Sequence, residues 1–188
     1  MTSAVTPQQI LSFWFGEGVW GSPEIASVNF SIQSPLWWGM KSDLSGPISP
    51  EEKTAIDESC QVFAEFVRKC GRGELSDPIW DTPDGLYAQV LLCDQLSRNC
   101  FRGTDEAFAY DSKGSEIARK LVANEHHLAF TSPDLFVFLL TPGQHSEDLQ
   151  DHAMNLEILQ VLADKFGADN RTYLFTKKLC VCVCVCVC

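Results

Sequence analysis

Apolar side chains recur at helical spacing through most of this chain, and strand-like alternation is confined to its last ten residues. Two segments share one start signal, in which a hydroxyl residue precedes proline and Gln or Glu follows three positions after the hydroxyl. They are Thr6-Pro7-Gln8-Gln9 and Ser49-Pro50-Glu51-Glu52. This arrangement is typical of a capping box at a helix N-terminus. We therefore predict helices from residue 7 to Gly16 and from residue 50 to Gly71.

The second half of the chain predicts further helices joined by short turns. We expect a helix from Pro83 to Phe101, a helical turn from Thr104 to Phe108, a helix from Asp111 to Asn124, a central apolar helix from Ser132 to Leu140, and a last helix from Ser146 to Phe166. Thr141-Pro142-Gly143 is expected to end the apolar helix. The last helix places its apolar side chains on one expected core face: Leu149, Ala153, Leu156, Leu159, Ala163 and Phe166. The pattern therefore predicts an all-α fold of antiparallel helix pairs.

Residues 16–49 contain Gly, Pro, Ser and Trp without a period, which predicts a long irregular loop with aromatic anchors. Trp37 and Trp38 lie in this stretch, and Trp38 is a candidate either for packing or for lining a cleft. The 188 residues, 45% of them hydrophobic, suffice for one core. We therefore expect residues 1–178 to form a single helical domain.

The tail, residues 179–188, alternates Cys and Val and is a low-complexity segment. TGT and GTG encode these two residues, so a TG dinucleotide repeat read in frame produces the tail. We interpret it as a translated repeat or a gene-model error, and we expect it to have no regular structure. The body of the chain keeps four cysteines, which are predicted to be reduced core thiols: Cys60, Cys70, Cys93 and Cys100.

The formal net charge of −11 argues against nucleic acid and anionic membranes as partners, because both require clustered Lys and Arg. No apolar run approaches the roughly 20 residues that span a bilayer. The N-terminus has neither a basic region nor an apolar region typical of a secretion signal. We therefore expect a soluble, cytoplasmic protein.

Candidate chemistry is concentrated between Leu91 and Asp111. Asp94, Arg98 and Arg102 recur every four residues and form one charged stripe on a helix. This stripe borders the apolar face of the same helix, so we expect it to be partly buried. Partly buried charges require partners, which are either another helix of the chain or a ligand.

Four ordered motifs carry a resemblance to a known family. They are ILSFWFGE at 10–17, Trp37-Trp38, DQLSRNCFRGTDEAFAYD at 94–111 and HSEDLQD at 145–151. The chain resembles domain of unknown function 924 over most of residues 7–166. The resemblance implies an all-α fold similar to tetratricopeptide repeats, and it implies no activity. Family members typically carry an acid before the His-Ser-Glu motif, where this chain has Gly143-Gln144, and continue into an Arg- and His-rich segment where this chain has the Cys-Val tail.

The marked residues support a functional and a structural interpretation. In the functional interpretation, a small anionic ligand is bound by Arg98, Arg102, Gln95, Asn99, Asp111 and Trp38, and the acid–base candidates are His145, Glu147 and Asp94. No phosphate loop, nucleophile elbow or metal-ligand spacing accompanies these residues, so we predict neither a cofactor nor a metal, and leave open whether the protein is an enzyme.

In the structural interpretation, the same residues form a polar clamp between helices. Asp94 bonds Arg98 within its helix, and Arg102 reaches Asp111 or Glu147. Two functions from different classes follow. The first is a helical-repeat-like interaction module with a groove for a peptide or protein partner. The alternative is an enzyme or binding protein for a small anionic metabolite, held by an Arg98/Arg102 clamp.

Overall fold

The computed structural model describes residues 5–16 and 30–178, with side chains from residue 33 onward in the second range. Every regular element in these ranges is helical, which confirms the all-α class, and one isolated bridge joins Met40 to Pro47. The helices are α1 (Pro7–Phe15), α2 (Phe30–Trp38), α3 (Pro50–Cys60), α4 (Ala64–Gly71), α5 (Pro83–Leu91), α6 (Ser97–Cys100), α7 (Asp111–Ala123), α8 (Asp134–His145), α9 (Leu149–Phe166) and α10 (171–178). A π-helical turn (Leu92–Leu96) joins α5 to α6. The repeat-like pairing of these helices stays a prediction.

Both capping boxes are confirmed. The Thr6 hydroxyl accepts a hydrogen bond from the Gln9 backbone N–H, and the Gln9 side chain bonds back to the Thr6 backbone. Ser49 and Glu52 make the same reciprocal pair at the start of α3. The expected single helix from residue 50 to Gly71 is instead divided into α3 and α4 by one 3₁₀ turn over Gln61–Phe63.

The predicted loop over residues 16–49 is wrong for residues 30–38, which form α2. This helix carries no charge and contains Pro35, so it lacks the usual sequence signals. It is held by tertiary contacts: the indole Nε1 of Trp37 donates to the backbone carbonyl of Trp14, 2.8 Å away. Residues 17–29 of the expected loop lie outside the described residues, as does the Cys-Val tail.

Helix α8 is the central apolar helix that the sequence predicts, with ten of its residues buried, from Asp134 to Gly143. Its predicted end at Leu140 is wrong, because α8 continues through Pro142 to His145. Proline has no N–H to donate to the carbonyl four residues earlier. That carbonyl, on Phe138, accepts from the Thr141 hydroxyl at 3.1 Å. The helix therefore keeps its hydrogen bonding and carries His145 one turn further.

The expected core face of α9 is only partly right. Leu159 is buried, but Leu149 and Leu156 are 65% and 52% exposed. The first half of the buried face is polar: Asp151 pairs with Arg119, and the Asn155 amide donates to the Leu140 carbonyl. The expected start of this helix at Ser146 is also wrong, because α9 begins at Leu149 and Asp148 caps it by accepting from the Gln150 N–H.

Helix α5 lies at the centre of the domain, where it packs against α1, α7 and α8. Aromatic rings fill the space between α1, α2 and α8, with Phe138 in contact with Trp14, Phe15, Trp37 and Trp38. The four body cysteines are free and buried, as predicted. Across the described ranges, no helix combines the length and apolar character that crossing a bilayer requires.

Candidate functional site

A single π-helical turn, Leu92–Leu96, lies in the middle of the helix that carries the charged stripe. Such turns are rare and occur frequently at functional sites. Here the Ser97 N–H reaches back to the Leu92 carbonyl, and the Ser97 hydroxyl donates to the Cys93 carbonyl at 2.7 Å. Gly114 of α7 lies against this turn, since a Cβ at that position would stand 3.4 Å from the Cβ of Cys93. Close approach of α7 therefore fixes the turn in place.

Asp94 is fully buried within the π turn, and both of its carboxylate oxygens have partners. Oδ1 lies 2.7 Å from Nδ1 of His145, and Oδ2 accepts from the Gln95 amide at 2.5 Å. Burial acts to raise the pKa of Asp94, but the hydrogen bond from His145 and the electrostatic interactions with His145 and Arg98 outweigh it. The pKa of Asp94 is therefore lowered, and the carboxylate stays ionised at neutral pH.

Arg98 bridges this buried carboxylate to α7. Its guanidinium makes a two-point contact with Asp111, at 2.8 and 3.1 Å, and Nη1 also donates to the backbone carbonyl of Asp94 at 2.7 Å. The expected pair between Asp94 and Arg98 is present as a long ion pair, with Nη1 4.0 Å from Oδ1. The π turn explains this length, because its wider spacing rotates Asp94 away from the position four residues ahead.

Arg102 pairs with neither of its two expected partners. Its guanidinium instead contacts Asp57 of α3, with Nε 2.6 Å from Oδ2 and Nη2 3.0 Å from Oδ1. The expected contacts to Asp111 and Glu147 are therefore wrong. The Arg102 and Asp57 side chains are 43% and 18% exposed, so this pair lies at the surface while the pair around Asp94 lies inside.

A cleft of about 270 Å³ opens between α2, α3 and α6. Its walls contain five of the six predicted ligand-binding residues: Gln95, Arg98, Asn99, Arg102 and Trp38. The sixth, Asp111, lies behind Arg98 and holds that side chain in place. The remainder of the wall is mostly apolar and comes from Pro35, Leu36, Trp37, Gly39, Ile48 and Ile56. The structure thus brings the stripe and the aromatic pair to one concave surface.

Two charged residues of this cleft were missed from the sequence, Lys53 and Asp57. Both lie on α3, four residues apart and hence on one helix face, which is the signal that could have identified them. Arg98 and Arg102 each carry a carboxylate partner, whereas Lys53 makes no ion pair with any residue in the described ranges. The unpaired positive charge of the cleft is therefore that of Lys53.

The three acid–base candidates are only partly brought together. Asp94 and His145 are in contact, and the His145 side chain is 34% exposed. Because Asp94 is ionised, it accepts a hydrogen bond at Oδ1 from the Nδ1 proton of His145. Arg98 Nη2 also lies 3.0 Å from His145 Nδ1, and this is a close contact between two donors. Glu147 is exposed and contacts neither residue. Asp94 and His145 stand behind Arg98 and do not line the cleft.

Comparison with known proteins agrees with this architecture. A solved structure described as a protein of unknown function from Agrobacterium tumefaciens is 27% identical in sequence, covers 69% of this chain and 70% of its own, and superposes with a TM-score of 0.57. No curated protein matches the chain. Residues 10–181 match the family described as bacterial protein of unknown function, DUF924. The chain therefore belongs to the DUF924 family.

Proposed function

We propose that the protein binds a small organic anion in the cleft between α2, α3 and α6. The observation that carries this proposal is the composition of the cleft wall, which combines the cationic side chains of Lys53, Arg98 and Arg102 with the indole of Trp38. Ligand sites in proteins combine apolar surface with a few converging polar groups. This wall contains both kinds of surface, with Gln95 and Asn99 as additional hydrogen-bonding groups.

The size of the cleft limits the ligand. A volume of about 270 Å³ lies just below the range of about 300–1,000 Å³ that holds drug-sized molecules. A ligand of metabolite size fits this volume, whereas a folded partner or an extended peptide does not. Arg98 is fixed in advance by Asp111, which lowers the entropy lost when a ligand is bound.

Thermal unfolding of the full chain, with and without a panel of organic acids and phosphates, tests the proposal. A ligand at about 100 times its dissociation constant stabilises the folded state by roughly 2.7 kcal/mol. For a chain of this size that corresponds to a rise in Tm of about 5–10 °C. The absence of any shift across the panel would overturn the proposal.

Matched lysine variants locate the binding site. Lys53→Gln removes the unpaired charge of the cleft and is expected to weaken binding at least tenfold. Lys113→Gln is the control, because Lys113 is paired with Glu116 on α7 and does not line the cleft. Equal losses in the two variants would show that binding depends on overall charge and not on this cleft.

We also propose that the network of Asp94, Gln95, Arg98, Asp111 and His145 is a structural clamp. Its members come from the π turn, α6, α7 and α8, so the network joins three segments that are distant in sequence. This role requires no ligand and positions Arg98 at the cleft. We place the protein in the cytoplasm, since a reducing compartment suits its four free buried thiols.

One observation favours a second function, that of an interaction module. Leu149 and Leu156 are exposed on α9 and lie seven residues apart, so they share one helix face. An apolar helix face can bind an amphipathic partner helix. If α9 mediates self-association, light scattering of the full chain will show a species larger than the monomer, and L156S will abolish it. A monomer at all concentrations would exclude self-association through this face.

A further inference from the structure

We infer that the ligand of the cleft is a small apolar monocarboxylic acid whose carboxylate takes the place of Asp57 on Arg102. This inference rests on the proposed function, since it names the chemical class of the ligand. Three features of the cleft carry it: the geometry of the pair between Asp57 and Arg102, the absence of an ion pair on Lys53 in the described ranges, and the apolar side chains of the same wall.

The carboxylate of Asp57 already occupies the binding face of Arg102. The two contacts, at 2.6 and 3.0 Å, run side by side from Nε and Nη2 to the two carboxylate oxygens. This is the two-point geometry in which a guanidinium recognises a planar carboxylate. Arg102 and Asp57 both line the cleft and are partly exposed. The guanidinium face thus adjoins the concavity, and a ligand carboxylate can exchange with that of Asp57.

The charge of the wall indicates a single negative charge on the ligand. Arg98 is paired with Asp111 and Arg102 with Asp57, whereas Lys53 has no ion pair within the described ranges. When a ligand carboxylate replaces Asp57 on Arg102, Asp57 remains in the wall and is left near Lys53, four residues away on α3. A monoanion therefore leaves each cation of the wall with one anionic partner, whereas a phosphate dianion adds a second negative charge to a partly desolvated site.

The apolar part of the wall indicates an apolar body for the ligand. Trp38 lines the cleft and also contacts the rings of Phe138 and Phe175, with ring centroids 5.8 and 5.6 Å away. These two contacts fix its ring. Leu36 and Ile56 extend the apolar surface. An aromatic or branched aliphatic group can pack on this wall while its carboxylate reaches Arg102.

Isothermal titration of the full chain with three probes that share one aromatic body tests the inference. The probes are phenylacetate, its neutral amide phenylacetamide, and phenyl phosphate. We expect phenylacetate to bind most tightly. Asp57→Asn should tighten phenylacetate binding roughly fivefold and should leave the affinity for phenylacetamide unchanged. The fivefold ratio corresponds to the upper range of the free energy of an exposed ion pair. Arg102→Gln should weaken phenylacetate binding about tenfold or more.

The outcomes separate this inference from the proposal on which it rests. If phenyl phosphate binds more tightly than phenylacetate, the carboxylate class is wrong but anion binding stands. If phenylacetate binds the wild type and Asp57→Asn equally, the ligand does not exchange with Asp57. If no probe binds either protein, this inference fails, and the thermal unfolding panel then decides whether the proposed anion binding fails with it. Circular dichroism of Asp57→Asn and Arg102→Gln confirms that each variant is folded before its affinity is interpreted.

Discussion

Replacing Asp94 with asparagine is the sharpest test of the proposed clamp, because the change keeps the shape of the side chain and removes only its charge. The carboxylate is fully buried and accepts from His145 and from Gln95. The new asparagine has one accepting atom, its amide oxygen, which can keep the hydrogen bond from His145. Its NH₂ group then faces the NH₂ group of Gln95, and two donors oppose each other in a buried site.

The network has no simple rearrangement that relieves this conflict. In the wild type, the Gln95 NH₂ also contacts the Thr141 hydroxyl, at 3.2 Å. A flip of the Gln95 amide would present its oxygen to the new asparagine, but the same oxygen would then also face that hydroxyl. The proton of that hydroxyl is already donated to the Phe138 carbonyl. Two acceptors would then oppose each other, so one unsatisfied contact remains in either arrangement.

The expected cost of Asp94→Asn is about 3 kcal/mol of unfolding free energy. A hydrogen bond to a buried charge contributes about 1.5–3 kcal/mol, and breaking one partner of a buried ion pair costs about 3–5 kcal/mol. For a chain of this size, 3 kcal/mol corresponds to a fall in Tm of about 6–12 °C. Urea unfolding of the full chain, followed by tryptophan fluorescence and circular dichroism, measures the change.

Asp57→Asn is the matched control, since it makes the same chemical change in a carboxylate paired with arginine. Asp57 and Arg102 are partly exposed, so the loss is expected to stay below about 1 kcal/mol. The contrast between the two variants isolates the effect of burial. Equal losses in the two variants would refute the assignment of Asp94 to a buried clamp.

Three further predictions follow from the described residues. The pKa of Asp94 is lowered in the folded state, so the ionised carboxylate stabilises the protein above the ordinary pKa of an aspartate. This contribution is lost as the pH falls through the lowered pKa. The difference in stability between wild type and Asp94→Asn should therefore shrink below about pH 4 in urea titrations. Gly85→Ala should lower the free energy of unfolding by about 3 kcal/mol in the same assay, since the new Cβ would stand 2.3 Å from a backbone carbonyl oxygen. Gly46→Ala is the control: nothing lies within 4 Å of its Cβ position, so its stability should change by less than about 0.5 kcal/mol. Burial raises the pKa of Cys60 and Cys100 to about 12, so peptide mapping should find both thiols unlabelled by iodoacetamide in the native protein at pH 8 and labelled in urea; labelling of the native protein would contradict their burial.

The parts of the fold that local chemistry determines were predicted from the sequence. The capping boxes at Thr6 and Ser49 depend on residues three positions apart, so the sequence alone identifies them. Helix α2 depends instead on contacts such as the bond from Trp37 to Trp14, which joins residues 23 positions apart. Its own sequence lacks capping and charge signals, and for that reason it was mistaken for a loop.

The candidate site shows the same division. Helical spacing placed Asp94, Arg98 and Arg102 on one partly buried stripe, and the structure places Arg98 and Arg102 in the wall of one cleft. Their partners could not be predicted, because Arg102 pairs with Asp57, 45 residues earlier. His145 reaches Asp94 from the last turn of α8, which continues past Pro142 while the Thr141 hydroxyl bonds the carbonyl that proline leaves free. A proline rule alone does not contain this detail.

The π turn marks the place where this helix can change its length. A π turn contains about one residue more than an α turn, so deleting one residue from Leu92–Leu96 would restore regular α geometry. Because the extra residue is contained within one turn, α5 and α6 would keep their common orientation toward the core. The same deletion within α5 would rotate one part of the helix by about 100° relative to the other. At the π turn the protein is therefore expected to tolerate the loss of one residue far better than within α5.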